Sequence, residues 1–170
     1  MDYYVLRVAT GKELRVRDAL QAHGYDTRVP CEIALLRRRG EWHDELRTLF
    51  PGYVFIGLEG VTPQVWHRVV TACIFVCGNV RWLGDPTPIT AEEAKRLSFL
   101  APDNNPLQPT HVTFDANGWP HFSAGPLEQL ADNHEVQVNA RQRRATVDMV
   151  MCGEAKQITL SIITDEVAHD

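Results

Sequence analysis

Long apolar runs are missing from this sequence: no segment approaches the ~20 residues that a bilayer-spanning helix needs. The early residues do not join a basic region to an apolar core and a small-residue cleavage site, so secretion is not expected. Cysteine is scarce, with four in 170 residues (Cys31, Cys73, Cys77, Cys152) and no C-x-x-C among them. Cys73 and Cys77 stand four residues apart, but no second Cys/His pair of zinc-like spacing accompanies them, and no metal is expected. Reduced core thiols in a cytoplasmic protein are the reading that remains. The chain has no G-x-S-x-G, no phosphate-binding loop and no H-E-x-x-H. Cys31 and His43 flank one hairpin, yet nothing orients the histidine or builds an oxyanion site. Neither an enzyme nor a cofactor is expected. Internal repeats and low-complexity tracts are absent too.

What is present is the composition of an ordinary globular protein, 44% apolar and 23% charged. The net charge of −5 argues against a protein that holds nucleic acid by electrostatics alone. Its distribution is uneven. Residues 1–111 hold 13 acidic and 13 basic side chains, whereas residues 112–170 hold 9 acidic and 4 basic. That asymmetry suggests two modules.

Along the chain, a strand at residues 3–10 runs into a helix with T-x-x-E at Thr10 and Glu13, and Gly24 is placed to end it. Residues 27–36 read as a second strand weakened by Pro30, and RRRGEWHDEL (37–46) as an extended hairpin tip. LFPGYVFIGL (49–58) is the third strand. Thr62 and Pro63 open a second helix whose buried stripe is Val65, Trp66, Val69 and Val70. A strand within 74–84 follows, ending at Gly84, then a third helix from Thr90 and Glu93 to Leu100. The order β-α-β-β-α-β-α gives an α+β domain over 1–101, an antiparallel sheet with helices packed on it. APDNNPLQPT (101–110) is proline-rich and places a linker at 102–111. From 112 to 170 only short strands and turns appear, among them HVTF, WPHF, EVQVNA, RATVDMVM and ITLSII, which suggests a small β-barrel.

Three features invite a functional reading. LFPGYVFIGL has no polar face: Tyr53 and Phe55 point one way, Val54, Ile56 and Leu58 the other. Either the strand is covered on both sides, or one face receives an apolar helix from another protein. Arg37, Arg38 and Arg39, followed by Trp42 and His43, could hold phosphates and stack on a base. Alternatively they form a solvated loop offset by Glu41, Asp44 and Glu45. GPLEQL (125–130) marks a turn; Arg141, Arg143 and Arg144 could touch RNA, but in so acidic a module a solvated strand connection is the favoured reading.

Taken together, YYVLRVATGKE, LFPGYVFIGL, WLGDPTPIT with its acidic helix, GPLEQL and RRATVDMVMCG resemble the NusG family of transcription elongation factors. The run RRRGEWHDELRTLFPGYVF resembles the specialised LoaP-type antiterminator paralogues more than housekeeping NusG. The resemblance implies a NusG N-terminal-like domain that binds RNA polymerase, and an SH3-like KOW β-barrel after the linker. In the family an apolar surface of the first domain grips the clamp helices of the polymerase's largest subunit. Carried over, it implies polymerase contacts at Tyr3, Tyr4, Phe50, Pro51, Tyr53 and Phe55. It also implies nucleic-acid contacts at Lys12, Arg15, Arg37, Arg38 and Arg39, to a nascent RNA hairpin or non-template DNA. The barrel's partner would be a ribosomal protein or termination factor, although the basic residues common in the family's KOW loop are missing. The expectation is a monomeric antitermination factor promoting processive transcription of specific long operons. Its competitor is an RNA- or ribosome-binding two-module protein without polymerase contact.

Overall fold

The structure, a computed structural model, describes residues 1–164. Its first strands and helix are β1 (Asp2–Arg7), α1 (Glu13–Ala22), β2 (Thr27–Arg28), β3 (Cys31–Arg38), β4 (Glu41–Thr48) and β5 (Tyr53–Leu58). Then come α2 (Pro63–Cys73), β6 (Arg81–Trp82), α3 (Ala91–Leu100), β7 (Thr110–Phe114) and β8 (Pro120–Ser123). The last are α4 (Pro126–Leu130), β9 (Val136–Asn139), β10 (Arg144–Met151) and β11 (Glu154–Thr164). The chain divides into two compact units, each discontinuous in sequence: Met1–Pro30 with Phe50–Asn104, and Cys31–Leu49 with the chain from Asn105 onward.

The first unit is an antiparallel sheet in the order β2-β5-β1-β6. Pro51 and Gly52 make the turn into β5, with the Tyr53 amide donating to the Phe50 carbonyl at 3.1 Å. Gly52 has φ +84°, and a Cβ there would stand 3.2 Å from the Val8 carbonyl oxygen, so the turn requires glycine. The helices follow their signals unequally. Thr62 caps α2, accepting from the Val65 amide at 3.2 Å, and Thr90 and Glu93 form a reciprocal capping box on α3. Thr10 does not cap α1, which starts at Glu13; the Glu13 carboxylate instead accepts a hydrogen bond from the Gly11 amide. The helix ends as expected, with the Tyr25 amide returning to the Leu20 carbonyl and the Gly24 amide to that of Gln21. Of the stripe expected on α2 only Val69 is fully buried, joined by Cys73.

The strand expected within 74–84 is reduced to β6. The Val76 and Cys77 amides both turn back onto the Cys73 carbonyl, prolonging the helical path and leaving Ile74 and Phe75 exposed.

The second unit holds a five-stranded sheet, β8-β7-β11-β10-β9, antiparallel except where β11 lies parallel to β7. GPLEQL is not a plain turn but contains α4, whose Leu127 and Leu130 are buried. A Cβ on Gly125 would lie 2.5 Å from the Thr110 hydroxyl, so only glycine admits this approach; that hydroxyl accepts from the Leu127 amide at 3.0 Å.

The units do not follow the boundaries read from the sequence, because residues 31–49 leave the first module for the second. Pro30 explains the break. It supplies no N–H, so the expected strand 27–36 divides into β2, which joins the first sheet, and β3, which pairs with β4. The β3–β4 hairpin turns at Arg39 and Gly40, both with positive φ, as a tight two-residue hairpin demands. Nor is 102–111 a free spacer: Leu107 is buried, donates to Cys31 O and accepts from the Ile33 amide, both at 2.8 Å. The expected barrel's last residues, 165–170, lie outside the described residues.

Within this unit β3 also packs on β11. The Ser161 amide donates to the Glu32 carboxylate at 2.9 Å, and the Leu35 amide donates to the Ser161 hydroxyl at 2.8 Å. Burial pushes the Glu32 carboxyl above its ordinary range, while the Ser161 amide and the charges of Arg47 and Arg144 pull it back in part. A raised folded-state pKa favours the protonated form, so wild-type stability falls relative to a neutral isostere as pH rises through it. Glu32→Gln keeps an acceptor for Ser161. Its unfolding midpoint in urea should equal that of the wild type at about pH 4 and exceed it at about pH 7.5.

Candidate functional site

In the first unit the register decides which aromatic residues share a face. Tyr53 lies opposite Arg7, Phe55 opposite Val5 and Tyr3 opposite Gly57, so Tyr3, Tyr53 and Phe55 stand on one side of the sheet. Tyr4 lies opposite Ile56 and takes the other side. There it meets Trp82 at 6.1 Å between ring centroids, and Trp82 in turn meets Trp66 of α2 at 4.9 Å. Tyr4 is therefore a core residue beneath α2 and not part of a wall shared with Tyr53.

The Tyr53 and Phe55 face is not open. Tyr53 is 5% exposed and Phe55 fully buried. Every residue of β5 is buried, since the strand lies inside the sheet between β2 and β1. Phe50, also buried, sets its ring edge-on to Phe55 at 6.1 Å, and the Arg7 guanidinium lies 5.2 Å from the Tyr53 centroid. Arg28, opposite Phe55, donates to the Ala101 carbonyl at 3.2 Å and so brings the end of α3 to this face. An exposed aromatic groove is thus corrected to a doubly covered strand. Only Pro51 of the expected contact set is exposed, with Tyr3 half-buried. The Tyr3 hydroxyl donates to Asp26 at 2.6 Å, and burial together with that carboxylate raises the phenol's pKa.

The expected nucleic-acid residues fall into two groups. Lys12 is the half-buried residue at the start of α1, and Arg15 is exposed on its first turn. Arg37, Arg38 and Arg39 lie together at the exposed hairpin tip in the second unit. Arg38 is bound to Glu45 at 2.8 Å, so the offsetting acidic residues neutralise one arginine. The turn between β9 and β10 was expected to be solvated, yet Arg143 is half-buried with its guanidinium 4.0 Å from the centre of the Trp42 ring. Sequence reading missed this pairing because residues 101 apart in the chain are joined only by the packing of β3 on β11.

Cys31 and His43 occupy ladder positions five apart on the hairpin and are not brought together. Burial, with Cys77 adding to it, raises the Cys73 thiol to about 11, which keeps it protonated at neutral pH. No cluster of three His, Cys, Asp or Glu that could hold a metal ion occurs among the described residues.

The fold belongs to a known α+β class. It is similar to a solved structure describing domain interaction in Thermotoga maritima NusG, with a TM-score of 0.55 and 15% identity. That likeness covers 95% of this chain and 93% of the other. The family model for transcription termination factor NusG matches residues 1–98, more than half of the chain. The chain belongs to the NusG family of transcription termination and antitermination factors. It is also 22% identical to the transcription termination/antitermination protein NusG of Treponema pallidum (strain Nichols), over 97% of both chains.

The burial of Phe55 makes a stability prediction that an exposed contact residue would not. Phe55→Ala should lower the free energy of unfolding by about 3–5 kcal/mol, read from urea titration. A change of under ~0.5 kcal/mol, the usual effect at a surface position, would return Phe55 to an open groove.

Proposed function

We propose that this chain is an elongation and antitermination factor that binds RNA polymerase through its first unit and promotes processive transcription of particular long operons. The family match over residues 1–98 carries this reading. The paired name of the Treponema relative, termination and antitermination, supports a role on the elongating polymerase. Tyr53, Phe55 and Phe50 hold the shape of the contact surface from within, and Pro51 and Tyr3 supply the part that a clamp helix can reach. The run RRRGEWHDELRTLFPGYVF supports a specialised, LoaP-type paralogue, and GPLEQL with RRATVDMVMCG supports a KOW-type barrel for the five-stranded sheet.

The mechanism is binding without chemistry. A factor that prefers the processive state over the paused one shifts the balance between them by its differential affinity alone. A preference of about 1.4 kcal/mol suffices for a tenfold shift.

Photo-crosslinking amino acids at Pro51 and Tyr3, in a reconstituted elongation complex, test the assignment. Ultraviolet light should join both positions to the largest polymerase subunit, and the unmodified protein should increase read-through at an intrinsic terminator. Neither crosslink nor read-through, from protein with a wild-type melting curve, would move the chain to the RNA- or ribosome-binding alternative.

A further inference from the structure

We propose that the concavity between the β3–β4 hairpin and the β9–β10 turn is a docking site for an acidic peptide segment of a partner protein, held by Arg37, Arg141, Arg143 and Arg144. The site lies wholly in the second unit. It is independent of the polymerase reading, and its test can fail while that reading stands.

A concavity of about 450 Å³ is lined by Leu35, Arg37, Trp42, Arg141, Gln142 and Arg144. Three of these six carry a guanidinium and none a carboxylate, so the charge inside is of one sign. Arg143 adds a fourth cation, 4.0 Å from the Trp42 ring centre. None of the four arginines forms a salt bridge with a described residue, whereas Arg38 at the same hairpin tip is bound to Glu45. The surrounding sequence does not lack carboxylates. Residues 112–170 hold 9 acidic and 4 basic side chains, and three of the four basic ones stand in this turn. Like charges crowded without a counter-charge oppose folding, so a negatively charged partner completes the arrangement.

The turn fixes the arginines before any partner arrives. The Arg143 amide donates to Ala140 O at 3.2 Å, the Gln142 amide to Asn139 Oδ1 at 3.1 Å, and the Ile162 amide to Arg143 O at 3.0 Å. Arg143 has φ +54°, unfavourable for a residue with a Cβ and kept here by those bonds. Its guanidinium is seated against the Trp42 ring, and its buried Nε has no hydrogen-bond partner among the described residues. The ring contact thus orients the fork without a salt bridge. Planar guanidinium forks pair with carboxylates through two parallel hydrogen bonds, and fixing them beforehand lowers the entropy lost on binding.

The surroundings favour a peptide over a nucleic-acid strand. Trp42 is half-buried and already carries Arg143, with Arg37 6.0 Å from its centre, so it supports guanidinium groups rather than offering bases a stacking platform. Beyond the hairpin tip the basic residues do not continue as a track for phosphates: Lys156 is paired with Glu154 at 3.1 Å. Leu35 adds an apolar element that an aliphatic side chain of a peptide can cover. The volume falls in the range of small-ligand pockets, ~300–1,000 Å³, which admits a few side chains but not a folded surface.

The test uses the full chain and fluorescence anisotropy with a short labelled glutamate-rich peptide carrying one central leucine. Saturable binding with a Kd below about 100 µM is expected, and the peptide with glutamine for glutamate should bind about tenfold more weakly or worse. Arg141→Ala and Arg143→Ala should each weaken binding about tenfold, the size of a lost charge-assisted contact. Arg143→Lys should weaken it about fivefold, because lysine keeps the charge but loses the fork. Lys156→Ala, the same loss of charge on β11 outside the concavity, should leave affinity within about twofold. Circular dichroism checks folding; should Arg143→Ala unfold, alanine variants of the exposed Arg37 and Arg141 carry the test. Deleting residues 165–170, which read DEVAHD, should also leave affinity within about twofold. Tightening beyond about tenfold on that deletion would make the chain's own acidic end the occupant and overturn the proposal. Equal binding of the glutamine peptide, undiminished binding by folded arginine variants, or tighter binding of a single-stranded RNA of the same length overturns it as well.

Discussion

The hydrogen bonds that tie β3 to β11 and to Leu107 determine how this chain is divided. Glu32 and Ser161 are joined by the Ser161 amide, Ser161 and Leu35 by the serine hydroxyl, and Leu107 occupies the ladder between Cys31 and Ile33. Each bond is short and lies at a largely buried position, where an unmade partner would cost more than the bond itself contributes. Together they make an edge strand of the hairpin into an interior element of the second unit. A carboxylate raised by burial is tolerated there because an amide and two nearby arginines stabilise its charged form. The arrangement of Trp42 beneath Arg143 then follows from how β3 is held.

The same reasoning explains why β5 departs from the expectation of an open groove. A strand hydrogen-bonded on both edges has no free backbone, and its side chains are then decided by what covers each face. Trp66 and Trp82 approach from the side of Tyr4, while the end of α3 approaches from the side of Tyr3 through Arg28. The missing polar face of LFPGYVFIGL is thus a requirement of this protein's own core. The bend at Pro51 stays exposed above the buried aromatics.

Local signals were the legible part of the sequence. Thr62 with Pro63, Thr90 with Glu93, Gly24, and the Arg39–Gly40 tip all name structures that a few neighbouring residues can decide. Thr10 failed because the turn at Gly11 let the helix begin later, at a glutamate that satisfies the Gly11 amide itself. Pro30 was visible as a weakness in a strand, yet its effect, sending the two halves into different sheets, depends on β2 finding β5 more than twenty residues away while β3 pairs with the nearby β4. The α+β character and the NusG family were readable from motifs. The placement of the hairpin in the second unit was not, and neither was the burial of Tyr53 and Phe55, because both are set by contacts that no local pattern encodes.

Discontinuity of the second unit has a consequence for how the chain is made. The hairpin ends at Thr48, but its partner Ser161 is more than a hundred residues downstream. At ordinary rates of synthesis the ribosome delivers that partner roughly 6–20 s after the hairpin. Throughout that interval the Leu35 amide and the Glu32 carboxylate face water, and the edge of β3 is open to any other strand. Arg37, Arg38 and Arg39 with Glu41, Asp44, Glu45 and Arg47 supply the hairpin with charge that discourages such mispairing. On this view the charged hairpin also guards an edge that the growing chain cannot yet close.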